Sequence, residues 1–172
     1  VKADAYGHGA VEVSRAAIDA GAQRVAVAYL NEALELRNAG IEAPIQVFGE
    51  PLENELSIFA AHSLEPTIST HSGLKSVQSY SQKDAMRLAI HVKFDTGMQR
   101  VGLNWQETAD VFANLKSIEN VEFRGLMTHF ATADEGDLAF AETQVDRFSS
   151  VVSEAENQSV GFKTIHMANS AA

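Results

Sequence analysis

The sequence predicts an α/β protein with a parallel sheet, organised as an incomplete (β/α)8 TIM barrel of about seven strands. Short apolar runs typical of buried strands alternate along the 172 residues with segments of helical pattern, and their connections are short. Polar residues follow the first, fifth, sixth and seventh strands, where a closed ring would bring them to one mouth. No Gly-x-Gly-x-x-Gly turn follows any strand, which disfavours an open dinucleotide-binding sheet.

The first half of the chain contains four predicted strands. They are a remnant at Val1-Lys2 and the apolar runs 24–29, 45–48 and 65–69. The predicted helices of this half cover 10–20, 31–40, a segment opened by Pro51, and 72–82. Gly21 ends the first of these helices, Asn31 is an N-cap candidate for the second, and Pro51 suits a first helical turn.

The second half repeats the same unit. Its predicted strands are 87–94, 123–127 and 162–167, and its predicted helices are 105–115 and 138–156. No helix follows the last strand, and Val1 reads as the interior of a strand whose earlier residues are missing. We therefore expect a single α/β-barrel domain over 1–172 that is truncated at both ends and lacks its eighth strand.

The composition excludes several classes of function. A net charge of -10, spread along the chain, argues against binding to nucleic acid or to an anionic membrane. The absence of cysteine rules out disulfides and thiolate metal sites, and no metal site is expected. No apolar run is long enough to cross a bilayer, and no signal peptide pattern opens the chain. A cytoplasmic protein that acts on a small molecule is the simplest interpretation.

The opening string Lys2-Ala-Asp-Ala-Tyr6-Gly-His-Gly9 places a lysine where barrel enzymes keep their chemistry. A lysine at a strand end is usually an ordinary surface residue. When it is partly desolvated, however, its amine becomes a nucleophile that condenses with aldehydes, and pyridoxal 5′-phosphate (PLP) is the obvious aldehyde. Lys2 is therefore a candidate catalytic and cofactor-binding residue.

The fifth predicted strand carries three ionisable residues at alternate positions, His91, Lys93 and Asp95, followed by a loop that contains Arg100. The period of two puts the three on one face, which is either the barrel lumen or the helix layer. Unpaired charges are costly in both places. These residues form either a space-filling salt-bridge cluster or part of a site.

The ends of the sixth and seventh strands leave similar alternatives open. His129 is either a hydrogen-bonded structural residue or part of a site. Asn169-Ser170 is either a common helix N-cap or a cradle of phosphate donors. His166 shares a strand face with Ser170 by periodicity.

The four strings around these residues resemble the motifs of alanine racemases, which are barrel-type (fold-type III) PLP enzymes. They are Lys2-Ala-Asp-Ala-Tyr-Gly-His-Gly9, Asp95-Thr-Gly-Met-Gln-Arg-Val-Gly102, Thr128-His-Phe-Ala-Thr-Ala-Asp134 and His166-Met-Ala-Asn-Ser170. They occur in the family's order and span the chain. The resemblance implies a homodimeric isomerase that uses PLP to interconvert L-alanine and D-alanine, a step in D-alanine biosynthesis for peptidoglycan precursors.

The resemblance also implies a role for each candidate. Lys2 would carry PLP and act as one catalytic base, with Tyr6 near the phosphate. Arg100 would bind the phenolic oxygen and lie near the substrate carboxylate, and His129 would pack against the pyridine ring.

The remaining roles concern the phosphate and the residues behind the contact layer. By the same resemblance, Ser170 and Asn169 would bind the phosphate. Lys93 matches a lysine that is carbamylated in several family members and as an anion orients the arginine, here Arg100. Asp95 would also lie behind the contact layer. His166 would position an arginine on the next strand.

The resemblance further implies that the second base, a tyrosine, belongs to a C-terminal β-domain that this chain lacks, so the chain alone is expected to be inactive or nearly so. Three alternatives remain. A serine or broad-spectrum racemase would share these motifs. A non-catalytic PLP-binding barrel protein would lack the first two strings. An unliganded fragment could pair its open barrel edge with another copy.

Overall fold

A computed structural model of the protein describes residues 1–83, 86–169 and 171. Within this part of the chain, the strands are β1 (Val25–Val27), β2 (Ile45–Val47), β3 (Leu64–Ile68), β4 (Leu88–Asp95), β5 (Leu103–Asn104), β6 (Val121–Met127) and β7 (Thr164–His166). The helices are α1 (Lys2–Gly7), α2 (Ala10–Asp19), α3 (Leu30–Asn38), α4 (Leu56–Ala61), α5 (His71–Lys83), α6 (Thr108–Lys116) and α7 (Ala139–Asn157). Two 3₁₀ turns, Glu53–Glu55 and Trp105–Glu107, precede α4 and α6. None of these helices combines the length and the apolar character that a bilayer crossing requires.

The sheet is parallel throughout, with strand order β1-β2-β3-β4-β6-β7, and β5 pairs with the end of β4 beside this path. Parallel neighbours joined by helices confirm the predicted incomplete TIM barrel. Two details of the prediction are wrong. Val1-Lys2 is not a strand remnant, because Lys2 begins α1, and the two-residue strand β5 is additional.

Local capping accounts for the smaller differences at helix ends. Asn31 is not the N-cap of α3; Tyr29 is, and the Glu32 carboxylate accepts its amide. Pro51 does not open a helix either, because the chain stays extended through Leu52 before the 3₁₀ turn. The boundaries of α2, α5 and α7 lie within two residues of the prediction.

The sheet curls, so that its two faces have different environments. Ile90, Val92 and Phe94 of β4 are fully buried among the apolar side chains of the helix layer. The opposite face is concave, because side chains from strands that are not neighbours meet on it. Gln46 of β2 donates from Nε2 to the Met127 sulfur of β6 over 3.2 Å. This concave face is the barrel lumen.

A buried carboxylate occupies the lumen near the amino ends of the strands. Glu65 is 4% exposed, and Arg24 Nε and His91 Nε2 each lie 2.9 Å from its Oε2, while Arg124 Nε lies 3.2 Å from Oε1. Burial opposes ionisation of Glu65, yet His91 and Arg24 hold its pKa below the ordinary value. One anion thus connects β3 and β4 to β6 and to the residue before β1.

A glycine makes room for the imidazole in this cluster. The register between β4 and β6 shifts after Ile90, so that His91 lies opposite Gly125. A Cβ at Gly125 would come within 2.0 Å of His91 Nδ1. His91 can therefore lie flat against the β6 backbone only because this position carries no side chain.

We predict that Gly125→Ala lowers the free energy of unfolding by at least about 2 kcal/mol, because the new methyl group must displace a ring that Glu65 holds. Urea denaturation of the variant measures this loss. Gly161→Ala is the control, since the space around Gly161 is open and that substitution meets no atom within 4 Å. Equal stability of the two variants would contradict the role assigned to Gly125.

Candidate active site

The candidate residues converge at the mouth formed by the carboxyl ends of the strands. His129 follows β6 and is half-buried there. Burial lowers the pKa of His129, and the positive charges of Lys93, Arg100 and Lys2 lower it further. Burial first, and then three cations from β4, from the loop after β4 and from α1, thus favour the neutral form of its imidazole. Four of the predicted site residues therefore act on one another in the folded protein.

Lys2 begins a left-handed helical turn rather than ending a strand. Ala3, Asp4, Ala5 and Tyr6 have φ between 51° and 56° and ψ between 37° and 51°. This conformation costs roughly 1–2 kcal/mol for each residue with a side chain, so other contacts must hold it. The turn lies against β1, where the Val1 amino group donates to the Ala26 carbonyl over 2.8 Å.

Two carboxylates hold the left-handed turn in place. Glu32 of α3 accepts the Ala3 amide at 2.6 Å and the Ala28 and Tyr29 amides at 2.8 Å each. Burial opposes its ionisation, but these three donors lower the pKa of Glu32 below the ordinary value. Asp4 accepts the Ala10 amide at 2.7 Å and so ties the turn to the start of α2.

The side chains of Lys2 and Tyr6 lie together on the outer side of the turn. The Lys2 ammonium nitrogen is 5.7 Å from the centre of the Tyr6 ring, a cation–π distance. Both residues are exposed, and Tyr6 is 71% accessible. A large aromatic side chain left so exposed beside an amine suits the wall of a site that contacts a ligand.

The loop that carries Arg100 is shaped by a single carboxylate. Asp95 accepts the backbone amides of Gly97, Gln99 and Arg100 at 2.8, 3.1 and 3.2 Å. Burial and the charge of Arg100 lower the pKa of Lys93, and Asp95 opposes this only in part.

The structure describes only some of the candidate residues after the last strand. Asn169 Oδ1 accepts the Ala171 amide at 3.0 Å, which is the capping arrangement that the sequence left open beside phosphate binding. Ser170 lies outside the described residues. The centre of the His166 ring lies 5.9 Å from that of the His91 ring in a T-shaped arrangement, and its predicted place behind the contact layer stays a prediction.

Sequence reasoning missed two residues of α7 that bind the loops of the site. Gln144 is completely buried and bonds to both the loop after β4 and the loop after β6. Arg147 donates to the Thr96 carbonyl at 2.8 Å and lies over the Trp105 ring. The available signal was a polar residue on the apolar stripe formed by Ala141, Phe148 and Val151.

Comparison with known proteins places this geometry in a family. The family model described as "Alanine racemase, N-terminal domain" matches residues 1–172. An alanine racemase from Carboxydothermus hydrogenoformans is 40% identical over the whole chain, which covers 46% of that protein. The chain thus spans about half the length of the curated relatives it matches.

Solved structures show the same architecture. Alanine racemase from Bacillus anthracis, determined with bound L-Ala-P, superposes with a TM-score of 0.91 at 36% identity; the match covers all of this chain and 45% of that one. A histidine racemase from Leuconostoc mesenteroides superposes with a TM-score of 0.82 at 27% identity, over 99% of this chain and 45% of that one.

We predict that Glu32→Ala releases the left-handed turn, because three amides lose their acceptor. Amide hydrogen exchange at residues 3–6 should accelerate at least about tenfold, as expected when hydrogen bonds to a charged acceptor are removed. Glu35→Ala, on the exposed side of the same helix, should leave this exchange unchanged. Equal exchange in both variants would show that the turn does not depend on Glu32.

We also predict a pH dependence of stability that arises from His166. Burial, and then His91 and Arg24, lower its pKa from 6.5 to about 4. The unfolded chain therefore binds a proton at a higher pH than the folded one, so this stability is complete above about pH 6.5 and is lost as the pH falls toward 4. Urea midpoints at about pH 7 and about pH 5 should differ less in His166→Gln than in the unaltered protein.

The control for this experiment is His62→Gln, because His62 is exposed at the surface. That variant should keep the pH dependence of the unaltered protein. The assignment fails if His62→Gln and His166→Gln reduce the dependence equally.

Proposed function

We infer that the chain, which belongs to the family of alanine racemase N-terminal domains, is the cofactor-binding barrel of a PLP-dependent racemase that interconverts L-alanine and D-alanine. The observation that carries this proposal is that the positive charges of Lys93, Arg100 and Lys2 all act on the half-buried His129 and, after burial, lower its pKa. The activity of the complete protein, its substrate and its partners are part of the proposal.

The chemistry of these side chains fits PLP. The cofactor brings a phosphate and a phenolic oxygen, and the amino-acid substrate brings a carboxylate, so the bound ligands are rich in negative charge. The positive charges of Lys2, Lys93 and Arg100 complement that negative charge. A half-buried neutral imidazole can pack against an aromatic ring without repelling these cations.

We propose that the following residues bind PLP. Lys2 would bind its aldehyde carbon and His129 would lie against its ring. Arg100 would bind the phenolic oxygen and lie near the substrate carboxylate, with Lys93 and Asp95 behind it. Tyr6 would be near the phosphate, with Asn169 and Ser170 as the proposed phosphate donors at the end of β7.

When bound, the cofactor delocalises the negative charge left on the substrate Cα after proton loss. The proposed role of the chain is to move that proton. The Lys2 amine would remove or return it on one face of the substrate as a general base or acid. A second group on the opposite face would complete the inversion, and we propose that it is a tyrosine from the other half of the complete protein or from a partner subunit.

We propose alanine as the substrate because many of the similar proteins are alanine racemases. The B. anthracis enzyme was solved with bound L-Ala-P. The similarity to a histidine racemase favours a second candidate, a racemase of another amino acid, because the same barrel serves a larger substrate there. A homodimer and a cytoplasmic location, as expected from the sequence, are further parts of the proposal.

The proposal predicts that the full-length protein racemises alanine faster than serine, lysine or histidine. Circular dichroism of each enantiomer over time measures this. Preference for histidine or for several amino acids would support the second candidate, and inactivity on all of them with retained PLP binding would support a non-catalytic barrel.

The role of Lys2 has its own test. Borohydride treatment of the PLP-loaded protein, followed by peptide mapping, should place a pyridoxyl group on Lys2. Lys2→Ala should abolish this label and lower kcat at least about a hundredfold, since general acid–base groups contribute that much or more. Lys75→Ala, which removes an exposed lysine of α5, is the matched control and should change neither readout.

A further inference from the structure

Gln144 is the most buried polar residue of α7. Its exposure is 0%, although it lies on the stripe of the helix that otherwise carries Ala141, Phe148 and Val151. A leucine or methionine would fill the same space without the cost of desolvating a carboxamide. The presence of glutamine here therefore requires partners for its amide, and these partners lie in the loops of the site.

The Gln144 carboxamide bonds to two separate loops. Its Oε1 accepts the Ala131 amide at 2.9 Å. Its Nε2 donates to the His129 carbonyl at 3.1 Å and to Thr96 Oγ1 at 3.1 Å. Ala131 and His129 belong to the loop after β6, whereas Thr96 belongs to the loop after β4. Three hydrogen bonds of the side chain, one accepted and two donated, thus reach these two loops.

Further contacts join the same parts. The Thr96 and Thr128 hydroxyls are 2.8 Å apart and both residues are buried. Arg147, one helical turn after Gln144, donates to the Thr96 carbonyl at 2.8 Å. Phe140, one turn before it, lies so close to Gly97 that a Cβ there would come within 2.7 Å of the ring. Helix α7 is thus bound to the loop after β4 along three successive turns.

These loops carry the two groups whose separation determines how a flat cofactor could fit. Arg100 lies in the loop after β4, which Asp95 shapes through backbone amides, and Thr96 is the residue next to Asp95. His129 is the second residue of the loop after β6, and its carbonyl accepts a hydrogen bond from Gln144. Gln144 therefore connects the Thr96 hydroxyl, in the loop that carries Arg100, to the backbone of the loop that carries His129.

We propose that Gln144 is a positioning residue of the racemase site: it sets the distance between the loop that carries Arg100 and the loop that carries His129, and it thereby determines cofactor affinity. The proposal rests on the proposed function. The alternative is a purely structural role, in which Gln144 only pairs with buried backbone groups. Its loss would then lower the free energy of unfolding without altering the site.

The test compares Gln144→Met with Val151→Ala in the full-length protein. Methionine keeps the volume and removes all three hydrogen bonds. Val151 is fully buried on the same helix but lies seven residues beyond Gln144, among the core side chains, so Val151→Ala lowers stability without releasing the loops. If Gln144→Met does not fold, Gln144→Glu replaces it, because glutamate keeps the acceptor for Ala131 and loses both donors.

Two readouts use the ligand-free protein. Hydrogen exchange at residues 95–102 and 128–134 should accelerate at least about tenfold in Gln144→Met, as expected when buried groups lose their partners, and should stay unchanged in Val151→Ala. The His129 imidazole, followed by NMR with labelled histidine, should titrate at a higher pH in Gln144→Met, because Lys93, Arg100 and Lys2 no longer face it at a fixed distance.

The third readout is the affinity for PLP, which should fall at least about tenfold in Gln144→Met and not in Val151→Ala. In Gln144→Glu, amide hydrogen exchange at residues 95–102 should accelerate. Exchange at residues 128–134 should stay slower than it is in Gln144→Met. The proposal is overturned if the Gln144 variants keep the hydrogen exchange, the His129 titration and the PLP affinity of the unaltered protein. Failure of the unaltered protein to bind PLP would instead overturn the proposed function, whatever the loops do.

Discussion

The carboxylate of Glu65 is the constraint on which the curvature of the sheet depends. It is buried, and its partners come from β4, from β6 and from the residue before β1. A flat sheet would move Arg24 and Arg124 away from β3 and leave the buried anion without either arginine, at a cost of several kcal/mol. Buried ion pairs seldom add much net stability, but this one is satisfied only when the sheet is curled. The Glu65 cluster therefore specifies the curvature of the sheet more than it stabilises the fold.

The lumen is divided into two layers of opposite electrostatic character. In the lower layer, the cations are matched by Glu65. In the upper layer, the positive charges of Lys2, Lys93 and Arg100 all act on His129, and Asp95 only in part opposes the lowering of the Lys93 pKa. A chain with a net charge of -10 can thus present a local positive site. The net charge argues against nucleic acid as a partner, whereas the character of the site depends on which charged groups lie beside one another.

The sequence predicted the strands well because buried parallel strands are apolar runs, and the period of two in β4 placed His91 and Lys93 on one face. It could not predict what distant partners impose. The string after Lys2 contains ordinary helix-forming residues, and its left-handed conformation depends on Glu32, 29 residues away. The strand β5 is too short to leave a pattern. Gln144 looked like one polar residue in an amphipathic helix, and only the folded chain reveals the loops that it joins.

The left-handed turn also bears on the order of assembly. Its four residues carry side chains, so the isolated segment favours other conformations, and neither local propensity nor early helix formation can produce it. Its supports are the Ala26 carbonyl and the Glu32 carboxylate, which are in place only after β1 and α3 have packed. Lys2 therefore reaches its final orientation late, after the strand and the helix that support the turn have packed.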